Sequence, residues 1–333
     1  MSSKTEDPRG SPNLPVGEAI NIATRSVHTK LNKLIILRLP LTLPPKADDA
    51  SNYVQGLLHI APIYITFESL WRTILDSSET EDGHIRNTQQ GCPEPSDAHS
   101  TSNAADSKSR PVVSNRIHAV LSSLYIEGLA RSDALKRDLM ALTGWSTAEL
   151  TAQFDERAAE SPMLSSVLSH IKRSVTARPH VLLAYAWVLY MALFSGGRFI
   201  RASLEHVDAS SPFWMPFEQE SDAELKMPGG FPSSGLKRRG SEMPGERPLG
   251  FLRFDTPADG EDLKQLFKAR VLALTTGGGA AAEEEAGQPR VTAEEREDVV
   301  REAQRIFELM LRVVGELDEI CGTEYEYEGA AAT

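Results

Sequence analysis

Residues 179–198 read PHVLLAYAWVLYMALFSGGR and carry no charged side chain before Arg198. A segment of this length that is apolar on every side is either the buried central helix of a helical domain or a membrane span. Its histidine, its two tyrosines and the amphipathic segments around it favour the buried helix. Gly196 and Gly197 predict a bend or a close approach, because glycine inside a helix costs about 1 kcal/mol relative to alanine.

The segments on either side of this stretch have the apolar periodicity of amphipathic helices, and none alternates in the way that a strand does. We expect an all-α fold, a single multi-helical domain over residues 14–325. Residues 1–13 and 326–333 are predicted to be a disordered leader and tail. Flexible insertions are predicted at about 77–111, 216–247 and 276–291, where aliphatic residues are scarce or Gly, Ala and Glu dominate. The predicted helices cover residues 16–36, 53–75, 112–131, 132–143, 146–158, 161–175, 179–204, 259–275 and 292–320.

Composition narrows the possible partners. The 333 residues carry a net charge of −12 and show no basic stripe, which argues against nucleic-acid binding. Cys92 and Cys321 lie far apart, so a disulfide framework is not expected. The first thirteen residues lack an apolar signal core and the last residues form no anchor, so we expect a cytoplasmic protein without a stable membrane span.

Three local features could carry chemistry, although each has an ordinary structural explanation. His28 lies at the border of the apolar face of the first helix and, taken alone, is a core or boundary residue. The Ser-Gly-Gly break in the central helix could be a close helix crossing. Lys264 and Lys268 stand one helical turn apart and could form a solvated face.

Taken together and in this order, the three features resemble the haem oxygenase family, or the wider haem-oxygenase-like fold. Residues 26–31, SVHTKL, resemble the family's first helix, whose histidine is the proximal iron ligand. Residues 179–198 resemble its distal helix, and residues 249–270 resemble the later segment in which aromatic residues precede a basic helix. The resemblance covers roughly residues 15–75, 112–210 and 248–322.

The resemblance implies a set of site residues that agrees with the physical requirements of haem. His28 would be the axial ligand, and Gly196 and Gly197 would admit the flat macrocycle because they carry no Cβ. Cations at the mouth of the pocket would pair with the propionates. The candidates are Lys264, Lys268 and Arg25 for these cations, and Trp187, Tyr190, Phe194 and Phe254 for an apolar wall.

The sequence departs from the family at positions that matter for catalysis. Leu193 stands where the family has a carboxylate that orders distal water and helps to deliver a proton, and Ala192 replaces the usual glycine before it. Asn32 replaces an acid that hydrogen-bonds the ligand histidine, and Asn21 replaces a basic residue of the first helix. An amide can hold the imidazole but gives the iron less electron density than a carboxylate does.

Three functions are compatible with these residues. The resemblance implies a haem oxygenase that opens haem to biliverdin, carbon monoxide and ferrous iron, with haem as both substrate and cofactor, dioxygen, and electrons from a separate reductase. Leu193 instead favours a non-enzymatic haem binder, sensor or chaperone. A helical di-iron oxidase would need Glu-x-x-His pairs, and the one such spacing, Glu81 with His84, lies in a predicted insertion.

Overall fold

The fold is all-α, as the sequence predicts. A computed structural model describes residues 14–77, 113–216, 246–275 and 290–322, and no strand occurs within them. Its helices are α1 (Val16–Arg38), α2 (Ser51–Asp76), α3 (Asn115–Leu124), α4 (Ser132–Thr143), α5 (Thr147–Glu160), α6 (Pro162–Ala177), α7 (Leu182–Ala192), α8 (Arg198–Glu205), α9 (Glu261–Thr275) and α10 (Ala293–Ile320). The predicted leader, tail and insertions lie almost entirely outside the described residues, as do Glu81 and His84.

The uncharged stretch forms the centre of the bundle. Every residue of α7 from Leu182 to Tyr190 is buried, and the helix packs against α10, α2 and α3. The continuous segment Pro179–Glu205 is long and apolar enough to cross a membrane, yet 72% of its most apolar window is buried inside the protein. Enclosure by other helices identifies this segment as a core helix.

The predicted bend is a change of helix type at the glycine pair. Leu193–Gly197 forms a single π-helical turn, here called the π turn, which joins α7 to α8 without leaving helical backbone angles. π turns inside longer helices are often found at functional sites, because the extra residue moves side chains out of the regular pattern. The π turn therefore marks the place where the central helix leaves regular α-helical geometry.

Most predicted helix boundaries are confirmed. Ser146 and Thr292 begin α5 and α10 with complete capping boxes, and Ser161 caps α6 with Pro162 in its first position. The helix predicted over residues 112–131 was drawn too long. It ends at Leu124, where Tyr125 turns to extended backbone, and the chain starts a new helix, α4, whose first backbone N–H groups, those of Arg131 and Ser132, donate to the buried carboxylate of Glu68 on α2.

Helix α1 is attached to the bundle along one side, mainly to α10 and also to α9. An ion pair between Arg38 and Asp318 fixes its C-terminal end to α10. At its N-terminal end, the indole of Trp187 on α7 donates to Asn21 Oδ1 over 3.3 Å and lies directly on Gly17. A Cβ on Gly17 would stand 2.2 Å from the Trp187 ring, so this contact requires glycine.

We predict that Gly17→Ala lowers the free energy of unfolding by about 1–3 kcal/mol, since the added methyl group forces Trp187 out of its position. Gly315→Ala is the matched control. Gly315 lies inside α10 with nothing within 4 Å of an added Cβ, so alanine there should raise stability by about 0.5–1 kcal/mol. Urea unfolding of both variants measures the difference. Equal stability of the two variants would show that the packing of Trp187 against α1 does not require a glycine at position 17.

Candidate functional site

The candidate site lies between α1 and the helix formed by α7, the π turn and α8. Five residues share one face of α1 and its short continuation because they are spaced by four and seven positions: Gly17, Asn21, His28, Asn32 and Leu39. The first two contact Trp187, which closes one end of this face. At the other end, Leu39 and Phe199 of α8 line a common cavity. His28 and Asn32 occupy the middle.

The cavity at the open end has a volume of about 350 Å³. Apart from Lys46 and Ser203, the side chains that line it are apolar: Ile36, Leu39, Pro40, Leu43, Pro44, Pro45 and Phe199. It lies between the C-terminal end of α1 and α8, which both line it. The slot is the name used below for the region between the middle of α1 and the π turn, with the contact of Trp187 with α1 at one end and this cavity at the other.

The two glycines of the π turn face different surroundings. Gly196 is exposed and has nothing within 4 Å of an added Cβ, and Ala192 and Ser195 are exposed beside it. Gly197 is buried, and an added Cβ would lie 3.3 Å from Leu193 and 3.6 Å from Leu252. Gly196 therefore belongs to the exposed surface of the helix, whereas Gly197, which has no Cβ, lets Leu193 and Leu252 pack closely against the π turn.

His28 is exposed and is positioned by two neighbours. Its ring centroid lies 5.2 Å from that of Phe307 on α10, and its Nε2 atom lies 3.2 Å from the amide nitrogen of Asn32. The amide four residues later thus reaches the imidazole, as an acid would. An exposed imidazole that is held by one amide and one ring can act as a metal ligand once the amide yields that nitrogen.

The three predicted cations differ in their ion pairing. Lys264 Nζ lies 3.1 Å from the carboxylate of Glu261, which also binds Arg198 of α8 at 3.1 Å. Hydrogen bonds from Gln265 and Lys264 lower the pKa of Glu261 to about 2, so this carboxylate stays charged. Arg25 and Lys268 are exposed, and neither forms an ion pair with another described residue.

The aromatic residues predicted as an apolar wall are all buried. Phe194 of the π turn stacks on Phe254 with centroids 4.6 Å apart, and the Arg131 guanidinium covers the ring of Phe254 at 4.4 Å. Tyr190 donates to Glu68. The ring centroids of Trp187 and Phe267 of α9 lie 6.2 Å apart, and Trp187 is 7% exposed. They form the floor behind the π turn, and Trp187 closes one end of the slot.

Two buried carboxylates that sequence reasoning missed hold this floor in place. Glu68 accepts hydrogen bonds from the backbone N–H of Arg131 and from Ser132 and Tyr190. Asp138 of α4 accepts from the backbone N–H groups of Gly250 at 2.9 Å and Phe251 at 2.7 Å. Their partners are more than 60 residues distant in sequence, so no local pattern could reveal them.

Asp138 positions the segment that packs behind the π turn. Its two hydrogen bonds fix the short 3₁₀ helix Gly250–Leu252, and Leu252 is the residue that stands beside Gly197. Burial raises the pKa of Asp138 to about 6, although the N–H groups of Phe251 and Gly250 favour its charged form. The segment is therefore attached through a carboxylate that takes up a proton more readily than usual.

We predict that Asp138 makes stability depend on pH between about 4 and 7. The pKa of Asp138 is about 6 in the folded protein and 3.8 in a free carboxyl group, so the folded state binds the proton at a higher pH than the unfolded state does. Protonation of Asp138 therefore raises the free energy of unfolding as the pH falls from about 6 to about 4. Relative to Asp138→Asn, the wild type should gain about 1–3 kcal/mol in free energy of unfolding as the pH falls across that range. Urea titrations at pH 7, 5.5 and 4.5 measure the difference, and a constant value would contradict it.

Comparisons with known proteins agree on one family. A family model described as Heme oxygenase matches residues 110–316. The heme-binding protein HMX1 of Saccharomyces cerevisiae is 23% identical over 212 residues, which are 63% of this chain and 55% of that protein. The chain thus spans about half the length of this curated relative.

Solved structures with the same fold are haem oxygenases. Haem oxygenase 2 of Chlamydomonas reinhardtii, solved without haem, gives a TM-score of 0.54 at 14% identity and covers 91% of this chain and 98% of that one. Haem oxygenase-2 of Synechocystis sp. PCC 6803, in complex with haem and NO, gives a TM-score of 0.52 at 14% identity, with coverage of 92% and 87%. At this identity the likeness concerns the fold.

Proposed function

This chain belongs to the haem oxygenase family, and we propose that it binds haem in the slot and opens the macrocycle oxidatively. The observation that carries the proposal is the arrangement of His28 and Gly196. An exposed imidazole lies midway along the face of α1 that contacts Trp187, and the helix that carries Trp187 continues to Gly196, which has nothing within 4 Å of an added Cβ. A flat ligand needs a donor on one side and close backbone approach on the other.

Several residues would hold the haem. His28 would bind the iron, and Asn32 would orient the imidazole after releasing Nε2. Gly196 would let the macrocycle approach the backbone of the π turn. Lys268 and Arg25 would bind the propionates as exposed cations, and Lys264 could join them while it keeps Glu261.

The buried floor would exclude water from the distal side. Leu193, Phe194 and Leu252 are all buried and apolar, and they close the space behind the π turn. Bound haem would supply the iron that activates dioxygen, with electrons from a separate reductase, and ring opening would yield biliverdin, carbon monoxide and ferrous iron. The protein's contribution on this side is a dry surface, without an ionisable side chain from Val181 to Gly197 apart from two tyrosines.

Leu193 supports a second candidate function, that of a haem binder, sensor or chaperone without turnover. Its side chain is buried against Gly197, at the position where the family has its carboxylate. A general acid of this kind contributes about 10²–10⁴ in rate, so its absence reduces proton delivery far more than it reduces haem binding.

We predict that the protein binds ferric haem with a shifted Soret band and that His28→Ala abolishes the shift and weakens binding at least about ten-fold, the equivalent of 1.4 kcal/mol. His206→Ala is the matched control, because His206 is also an exposed histidine, directly after the end of α8, and its Nδ1 atom lies 2.6 Å from the carbonyl oxygen four residues before it. Absorbance titration of the three proteins is the measurement. An unchanged spectrum in His28→Ala would exclude this residue as the ligand.

Turnover is expected to respond to the residue at position 193. Leu193→Asp restores an acid in the π turn and should raise biliverdin formation about 10²-fold when a reductase and dioxygen are supplied. Leu193→Asn introduces a side chain of nearly the same size and shape as aspartate but with no titratable proton, so this variant should keep a rate near that of the wild type. Equal rates in the two variants, with haem still bound, would show that the missing acid does not limit turnover.

A further inference from the structure

A second surface stands out at the C-terminal end of α1. Residues 34–45 read LIILRLPLTLPP, and the one charged side chain among them, Arg38, is paired with Asp318 of α10. Ile36 is 55% exposed and Leu37 is 41% exposed, and Phe199 of α8, across the 350 Å³ cavity from Ile36, is 52% exposed. We call the following set the apolar tip: Ile36, Leu37, Pro40, Leu43, Pro44 and Phe199.

Packing among the described residues leaves the apolar tip largely exposed. Helix α1 buries its opposite side against α10, as the burial of Ile20 and Leu31 shows, so the tip points away from the core. Single exposed apolar residues are common, but a contiguous group at one end of a helix and its following loop marks an interaction site. Three of the six large apolar side chains that are exposed among the described residues belong to α1.

The charge around the tip indicates the partner. Residues 19–47 contain five lysines and arginines and no carboxylate, in a chain whose net charge is −12. Lys33 lies one turn before Leu37, and Lys46 lines the cavity beside Pro45, and both are exposed. The first carboxylates that follow are Asp48 and Asp49, and Asp49 accepts a hydrogen bond from the Ser51 N–H at the start of α2.

We infer that the apolar tip and its flanking lysines bind the surface of an anionic lipid bilayer. Apolar side chains at the end of a helix, with lysines beside them, are the arrangement by which peripheral proteins bury apolar residues among lipid chains and place cations at the headgroups. An acidic protein would pair with the cations but would not require the projecting apolar residues at their centre. The binding is peripheral and leaves Pro179–Glu205 buried in the core.

The test is flotation of the full-length chain, without haem, with vesicles of phosphatidylcholine alone and of phosphatidylcholine mixed with phosphatidylserine. We expect binding to the mixed vesicles, weaker binding to the neutral ones, and a decrease in binding as the salt concentration rises from about 0.1 M to 0.5 M. Binding without dependence on phosphatidylserine, or no binding to either vesicle, would overturn the inference.

Matched variants locate the surface. Leu37→Asp should reduce partition into the mixed vesicles at least about ten-fold, and Lys33→Glu about five-fold or more, from roughly 1 kcal/mol for each cation at the surface. Leu272→Asp on α9 and Lys172→Glu on α6 change equally exposed residues outside the tip and should have little effect. Equal losses in the control variants would overturn the assignment to the tip.

Two further outcomes would identify a different occupant. If the chain ignores both vesicles but binds polyglutamate through Lys33, the surface is a contact for an acidic protein. If it ignores both vesicles and sediments as a dimer that Leu37→Asp dissociates, the tip is covered by a second copy of the chain. Either result overturns the lipid inference. Circular dichroism of each variant confirms that the fold is retained.

Discussion

The enclosure of one uncharged helix determines the rest of this structure. Helix α7 is apolar on all sides, so it is stable only where other helices cover it, and α2, α3 and α10 do so together with α1 and α9. The same helix must end at the protein surface, since α8 is amphipathic. The π turn at Leu193–Gly197 makes that transition, with Gly197 closing the turn against the core and Gly196 facing outwards.

The slot is a consequence of how the helices around this transition are arranged. Trp187 keeps one end of α1 against α7 through Gly17 and Asn21, whereas the cavity beside Phe199 lies between the other end and α8. Buried carboxylates fix the floor, because Glu68 and Asp138 each satisfy backbone N–H groups of loops that would otherwise be unpaired. These two carboxylates thus support the shape of the site from behind without entering it.

Much of the helical fold could be predicted from the sequence, because local residue patterns specify where helices begin and end. Periodicity and capping residues indicated the helices and most of their boundaries, and the glycine pair indicated where the central helix departs from α-helical geometry, which it does as a π turn. The hydrogen bonds that cap the start of α4 could not be predicted, since their acceptor, Glu68, lies on another helix. The closure of the slot by Trp187 depends likewise on the missing Cβ of Gly17, 170 positions earlier, and the family resemblance alone gave no sign of it.

Family membership and the geometry of the slot support haem binding by the same residues, and Leu193 separates binding from turnover. We propose that haem lies between His28 and Gly196, and a crystal structure of the protein with ferric haem would show its position. We expect iron bound to the His28 imidazole, with the macrocycle against the backbone at Gly196 and Asn32 turned away from Nε2. Haem bound at another surface, or iron held by a different side chain, would contradict it.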